Sequence, residues 1–325
     1  MADVQLAVPG RRDAWSTRLR DIGFWAEWAA LIGLVVLVVV FQSLNSTFLS
    51  TGNIQSMLVA AAILIILAVG QTFVISTAGI DLSVASAMTL GAVVFGQAYT
   101  SGWGLPLSVV VAIVASAVLG VVNGTLIARG KIADFIVTLG TLSAASGLAL
   151  ILSNGKPVTI VDPFLLRLST GGVGIFGWSF IIAAVVAVLA HVMLFHSRFG
   201  THVLATGGAP ESATAMGIST RRIKIAVYAI SGTLAGLGAI LLVARVGAAE
   251  PAANTAFLLN SVAAVVLGGV SLFGGRGTIT GPVIGALLLT ALVNGLTLLG
   301  VSQFYQPLAV GIVVVLAALM TRFQR

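Results

Sequence analysis

Residues 54–83 read IQSMLVAAAILIILAVGQTFVISTAGIDLS, and the architecture is decided there. The first twenty-three of these, 54–76, carry no charge and no proline. As a helix rising 1.5 Å per residue they cover the roughly 30 Å core of a lipid bilayer. Then comes Thr77-Ala78-Gly79-Ile80-Asp81-Leu82-Ser83, where glycine permits a break and Asp81 or Ser83 can cap the helix that follows. The pattern is one span, a polar interruption, and a second span.

The rest of the chain repeats that pattern. From Ala29 to Ala128 the only charged residue is Asp81. Over all 325 residues, 58% are hydrophobic and 8% charged, with a mean hydropathy of +1.14, which excludes a soluble globular domain. A β-barrel would need short strands of alternating polarity instead of continuous apolar runs. The expected fold is an all-α membrane protein of about ten transmembrane helices, near residues 24–44, 54–76, 82–100, 105–128, 132–152, 176–195, 223–244, 257–273, 279–298 and 305–321. Alternating sides from a cytoplasmic N-terminus puts thirteen of the sixteen Lys and Arg inside and leaves Lys156, Arg167 and Arg245 outside, the bias that membrane insertion imposes. Both termini are therefore expected in the cytoplasm. Trp25 and Trp28 fall at the inner interface, and Tyr99, Trp103, Trp178 and Tyr305 near the outer one. Residues 1–22 read as a cytoplasmic tail and 23–325 as the transmembrane domain.

The net charge of +7 follows this topology, so it does not point to a nucleic-acid partner. The absence of cysteine excludes disulfides, thiolate metal sites and cysteine nucleophiles. His196 and His202 lack metal-like spacing, and no metal is expected.

Four segments depart from plain hydrophobicity. In the first, Asp81 reads either as a cap complementing a helix dipole or, with Ser83 and Gln71, as polar lining of a water-accessible path. The second holds Asn123 in an apolar span, where it is either interhelical glue or path lining. The third is the longest cytoplasmic loop, His196 to Lys224, in which Pro210 and Glu211 suit the first turn of a short helix outside the membrane; its alternative is a plain connection. The fourth, Val265 to Gly277, holds five glycines that permit close packing and a hinge.

At these same places the sequence resembles the permeases of ribose-type, monosaccharide ATP-binding cassette importers, allied to the branched-chain amino-acid permeases. Matching stretches include Ala68–Val74 leading to Gly79–Val84, Asn123-Gly124, Phe135–Thr141, Gly207-Gly208, Pro210-Glu211, Gly217-Ile218 and Ala263–Gly277. Two positions depart. Phe257-Leu258-Leu259-Asn260 stands where many sugar permeases carry a tyrosine-acid pattern, and Ala85 where glycine is common.

The resemblance implies an importer permease fold in a bacterial plasma (inner) membrane, working by alternating access. It implies that the coupling loop 196–222, through Ala205, Gly207, Gly208, Pro210, Glu211 and Gly217, docks on a cytoplasmic ATPase subunit. A periplasmic or extracellular solute-binding protein is expected on the outer face, and a second permease copy or a related permease alongside. The chain lacks a Gly-x-x-x-x-Gly-Lys-Ser/Thr loop, so no cofactor is expected on it and ATP is used by the partner. The implied solute is a sugar or sugar-like molecule: a pentose, hexose or polyol.

Two rival classes compete with this reading. An ion-gradient-driven secondary transporter usually enlists buried ionisable groups, and only Asp81 qualifies. An intramembrane hydrolase would pair Ser146 with His191, but span geometry sets these at heights of roughly 20 Å and 6–10 Å above the inner face.

Overall fold

The computed structural model describes residues 22–252 and 255–321, with side chains from Trp28 to Leu316. The expected N-terminal tail and its arginines, and Arg322 and Arg325, lie outside the described residues, as does the side chain of Trp25. The chain is mostly helical. Its helices are α1 (Ile22–Leu44), α2 (Thr51–Ser76), α3 (Val84–Thr100), α4 (Leu105–Gly130), α5 (Asp134–Ser153), α6 (Pro163–Thr170), α7 (Trp178–Phe195), α8 (Arg198–Gly208), α9 (Pro210–Ala215), α10 (Thr220–Val246), α11 (Thr255–Leu267), α12 (Thr280–Leu298) and α13 (Gln306–Thr321).

Among the described residues, α2, α4, α5, α7, α10 and α12 are long and apolar enough to cross a membrane; α3, α11 and the described apolar parts of α1 and α13 are shorter. Proline sits in the first turn of α4, α6 and α9, where its missing N–H costs nothing. The eighth expected span runs six residues too far, because α11 ends at Leu267. At the next residue a Cβ would overlap the Pro282 nitrogen, and Gly269 then turns the chain at φ +76°.

Helix α2 is the hub. Every residue from Ala61 to Ser76 is buried, enclosed by α7, α10, α11 and α12. A helix apolar on all sides belongs at the centre of a bundle. By contrast α1, α4, α7 and α13 present exposed aliphatic rows, such as Val110, Val114 and Val118 on α4. The tightest seam joins α4 to α10. Substituting Ala at Gly120 would drive a Cβ into the Tyr228 carbonyl oxygen, at Gly124 it would lie 2.7 Å from the Ile225 Cα, and at Gly232 it would overlap the Ser116 carbonyl oxygen. As the numbering rises on one helix it falls on the other, so the two run antiparallel. Small residues let the backbones meet, which drives helix association in lipid where burial of apolar area does not.

At the end of the bundle where α5 and α10 finish and α7 begins, β1 (Val158–Thr159) pairs antiparallel with β4 (Ala248–Ala249), and β2 (Gly172–Val173) with β3 (Phe176–Gly177). There Asp162 caps α6, accepting from the Phe164 and Leu165 amides, and its other oxygen accepts from the Tyr99 hydroxyl at 2.8 Å. Burial works to raise the Asp162 carboxyl, but the Tyr99 hydroxyl and the two amides outweigh it and hold the group below the ordinary carboxylate range.

Candidate functional site

The break between α2 and α3 is where the polar groups of five helices meet. Ala78 adopts φ +55°, which turns the chain out of α2. Asp81 Oδ1 then accepts from the Ser83 amide at 2.9 Å and the Ser83 hydroxyl at 2.7 Å. Its Oδ2 accepts from the Ser231 hydroxyl of α10 at 2.9 Å. Gln71 of α2 donates to the Asp81 carbonyl at 2.6 Å, and Asn123 of α4 donates to the Ser83 hydroxyl at 2.8 Å. The four residues singled out as path candidates thus form one connected cluster. Each is at most 3% exposed, so in this conformation the cluster is sealed.

One residue earlier, the Ile80 carbonyl lies 3.0 Å from the Tyr228 hydroxyl of α10 and 3.3 Å from that of Thr138 of α5, which also lies 2.8 Å from the Asp134 carbonyl. The same Tyr228 oxygen lies 3.0 Å from Asp134 Oδ2, which Lys224 approaches at 3.5 Å. A phenol has one proton, so Tyr228 can donate to Ile80 or to Asp134 but not to both.

Every donor on the Asp81 carboxylate is neutral, and the one described ion pair belongs to Asp134. Two amide oxygens beside the cluster, Gln71 Oε1 and Asn123 Oδ1, are buried without a hydrogen-bond partner. Orphaned acceptors of this kind are costly to enclose. A polyhydroxylated molecule or water reaching them would supply the missing donors.

Ser231, Tyr228 and Thr138 were not picked out from the sequence. Their signal was available for two of them: Tyr228 and Ser231 are polar, three apart, and on one face of an otherwise apolar span, the criterion that picked out Asn123.

The loop after α7 divides into two parts. Its first half is the helix α8, held by the Ser197 cap on the Gly200 amide. The end of α8 wedges between α2 and the glycine-rich loop before α12. Gly207 is buried with its Cα against the Ser76 carbonyl, so close that a Cβ would overlap it, and the Gly275 amide donates to that same carbonyl at 3.0 Å. A Cβ on Gly275 would lie 2.6 Å from the Gly208 Cα. Three segments that are far apart in sequence are knotted on one backbone oxygen.

Ala205 lies half-buried on this side, whereas Gly208, Pro210, Glu211 and Gly217 are exposed. Only Ala213 anchors α9. Gly217, at φ +83°, closes α9 through its amide to Thr214 and that of Ile218 to Ala213. Ser146 Oγ and His191 Nδ1 both lack hydrogen-bond partners, so they form no serine-histidine pair.

A helical membrane protein with a broken, hydrogen-bonded backbone at the end of its central helix is a transporter-like architecture. Residues 53–319 match the family described as branched-chain amino acid transport system / permease component. The chain belongs to that permease family, in agreement with the resemblance in its motifs. It is 38% identical over 309 residues to the ribose import permease protein RbsC of Escherichia coli K12, covering 90% of this chain and 93% of that protein. It is 35% identical to the L-arabinose ABC transporter permease protein AraH of Azospirillum brasilense, over 90% and 87%. It is 33% identical to the fructose import permease protein FrcC of Rhizobium meliloti, over 91% and 85%. No solved structure gives a significant match.

Proposed function

We propose that the chain is the membrane subunit of an ATP-driven importer and carries a pentose, hexose or polyol into the cytoplasm by alternating access. The similar permeases named for ribose, L-arabinose and fructose support the sugar class. The observation that carries the mechanism is the knot at Ser76: the end of α8 lies directly against the end of α2, one residue from the break that leads to Asp81. A push on α8 and α9 therefore reaches the break through backbone contacts alone.

In this reading all ten apolar helices span a bacterial plasma membrane with both termini in the cytoplasm. Residues 196–222 take the motion of a cytoplasmic ATPase, and a solute-binding protein delivers to the opposite face. A second copy or a related permease completes the path. Each partner biases the equilibrium only through different affinities for the inward-open and outward-open states. Gln71, Asp81, Ser83 and Asn123 border the path when the break opens and are sealed when it closes. Phe257–Asn260, where many sugar permeases carry a tyrosine-acid pattern, bears on which solute fits.

The test is radiolabelled uptake into proteoliposomes that hold this chain with its ATPase and binding protein, screened across pentoses, hexoses and polyols. Accumulation that requires ATP inside and binding protein outside is the expected result. Accumulation by the chain alone under a proton or sodium gradient would overturn it.

A further inference from the structure

The loop between α11 and α12 is built as a rigid projection. The Gly274 amide donates to the Ser271 carbonyl at 3.0 Å, the Ser271 amide to the Arg276 carbonyl at 3.2 Å, and the Phe273 amide to the Ser271 hydroxyl at 3.3 Å. Gly274 and Gly275 take φ +76° and +73°, conformations that side chains other than glycine resist. The Gly275 amide is anchored to Ser76.

Between this loop and Gly208 lies an open groove of about 500 Å³, lined by Gly208, Ser271, Phe273, Gly274, Gly275 and Arg276. In this loop Leu272 is 53% and Phe273 70% exposed, and Met216, just past α9, is 72% exposed. These side chains stand on loops beyond helix ends, away from the aliphatic rows that face outward along α1, α4 and α7.

We propose that Ser271–Arg276 is the second wall of the ATPase socket, and that the groove receives an ATPase segment carrying an apolar side chain beside an acidic one. The proposal rests on the importer reading and adds to it a surface outside the 196–222 loop. The groove is continuous with that loop, because Gly208 lines the one and leads, two residues on, into α9. Charge selects the partner. At this end of the bundle the described bases are Arg129, Lys131, Arg198, Arg221, Arg222, Lys224 and Arg276. Asp134 is engaged by Lys224 and Asp81 is buried, which leaves Glu211 as the exposed acid there among the described residues. An acidic partner is attracted and a basic one repelled. A preformed wall needs little ordering on binding, and Phe273 on the groove's wall offers an apolar contact beside the Arg276 charge.

The chain has no cysteine, so single thiols report cleanly. Leu272→Cys and Met216→Cys are each coupled to a benzophenone maleimide on the purified chain, which is then assembled with ATPase and binding protein in lipid nanodiscs and irradiated. Adducts to the ATPase from both positions are expected. Adducts from Met216→Cys to the ATPase but from Leu272→Cys only to lipid would overturn the second wall, mark the loop as a membrane-surface contact, and leave the importer reading standing. Failure at both positions, together with uptake that ignores ATP, would remove the importer reading as well.

As an independent readout, Arg276→Glu should weaken the purified chain's affinity for the ATPase at least tenfold, about 1.4 kcal/mol, while Arg276→Lys stays within threefold. Unchanged affinity in Arg276→Glu, or equal loss in both variants, would sink the assignment.

Discussion

Asp81 is a carboxylate enclosed by protein and bonded only by neutral donors. Two roles compete for it, a fold determinant or a charge used in transport, and hydrogen-bond chemistry separates them. An Asn at this position keeps one oxygen for Ser83 and turns its amide toward Ser231, whose hydroxyl rotates to accept. Asp81→Asn is therefore expected to fold with a stability within about 1 kcal/mol of the parent, and Asp81→Ala to lose about 2–3 kcal/mol by stranding the surrounding donors. Ser231→Ala should fall between them, at roughly 1–2 kcal/mol, because hydrogen bonds between membrane helices are worth about that at most. Thermal unfolding in detergent ranks the three. If Asp81→Asn is as stable as predicted yet abolishes ATP-driven uptake, the charge itself serves transport.

Helix pairing depends on the glycines of the α4–α10 seam. Gly120→Ala should destabilise the chain by about 1–3 kcal/mol, since its Cβ has nowhere to go. Gly140→Ala on α5, where nothing lies within 4 Å, should be neutral or stabilising by up to about 1 kcal/mol through helix propensity. Equal midpoints for the two variants would refute the seam. At the other end, Asp162→Ala removes the α6 cap and the Tyr99 tether, for about 1 kcal/mol at pH 7. Because folding holds this carboxyl below its unfolded value, its contribution is present above the ordinary carboxylate range and disappears as pH falls through the folded value. The gap between parent and variant should close in acid below about pH 4; a gap that persists there would mean that packing, not the carboxylate, stabilises α6.

Over the whole molecule, apolar run length located every long helix to within a few residues, since the bilayer fixes that length. It failed at α11, where close glycine packing ended a helix that hydropathy would have continued. It did not reveal that α8 is helical, because a short helix outside the membrane carries no hydropathy signal. Gln71, Asp81, Ser83 and Asn123 were legible one at a time as polar exceptions, but their union into one cluster depends on which helices adjoin. Periodicity does not encode that, although Tyr228 and Ser231, polar and three apart in their span, carry the same individual signal as Asn123. The ten-span topology has its own check in the cysteine-free chain. Lys156→Cys should react with an impermeant maleimide on intact cells and Glu211→Cys only after permeabilisation; reaction of both from outside would break the topology.

The enclosure of α2 has a bearing on how the chain is made. It is no less apolar than α4, which faces outward, yet α7, α10, α11 and α12 that surround it all follow it in the chain. During synthesis α2 must enter the bilayer before its neighbours exist, so its composition answers to lipid first and to protein later. The ribosome would release a loosely gathered set of early helices, and the late ones, α10 foremost, would displace lipid from around α2 to complete the core. Damage to α10 would then surface as an assembly defect, with α2 correctly inserted but never enclosed.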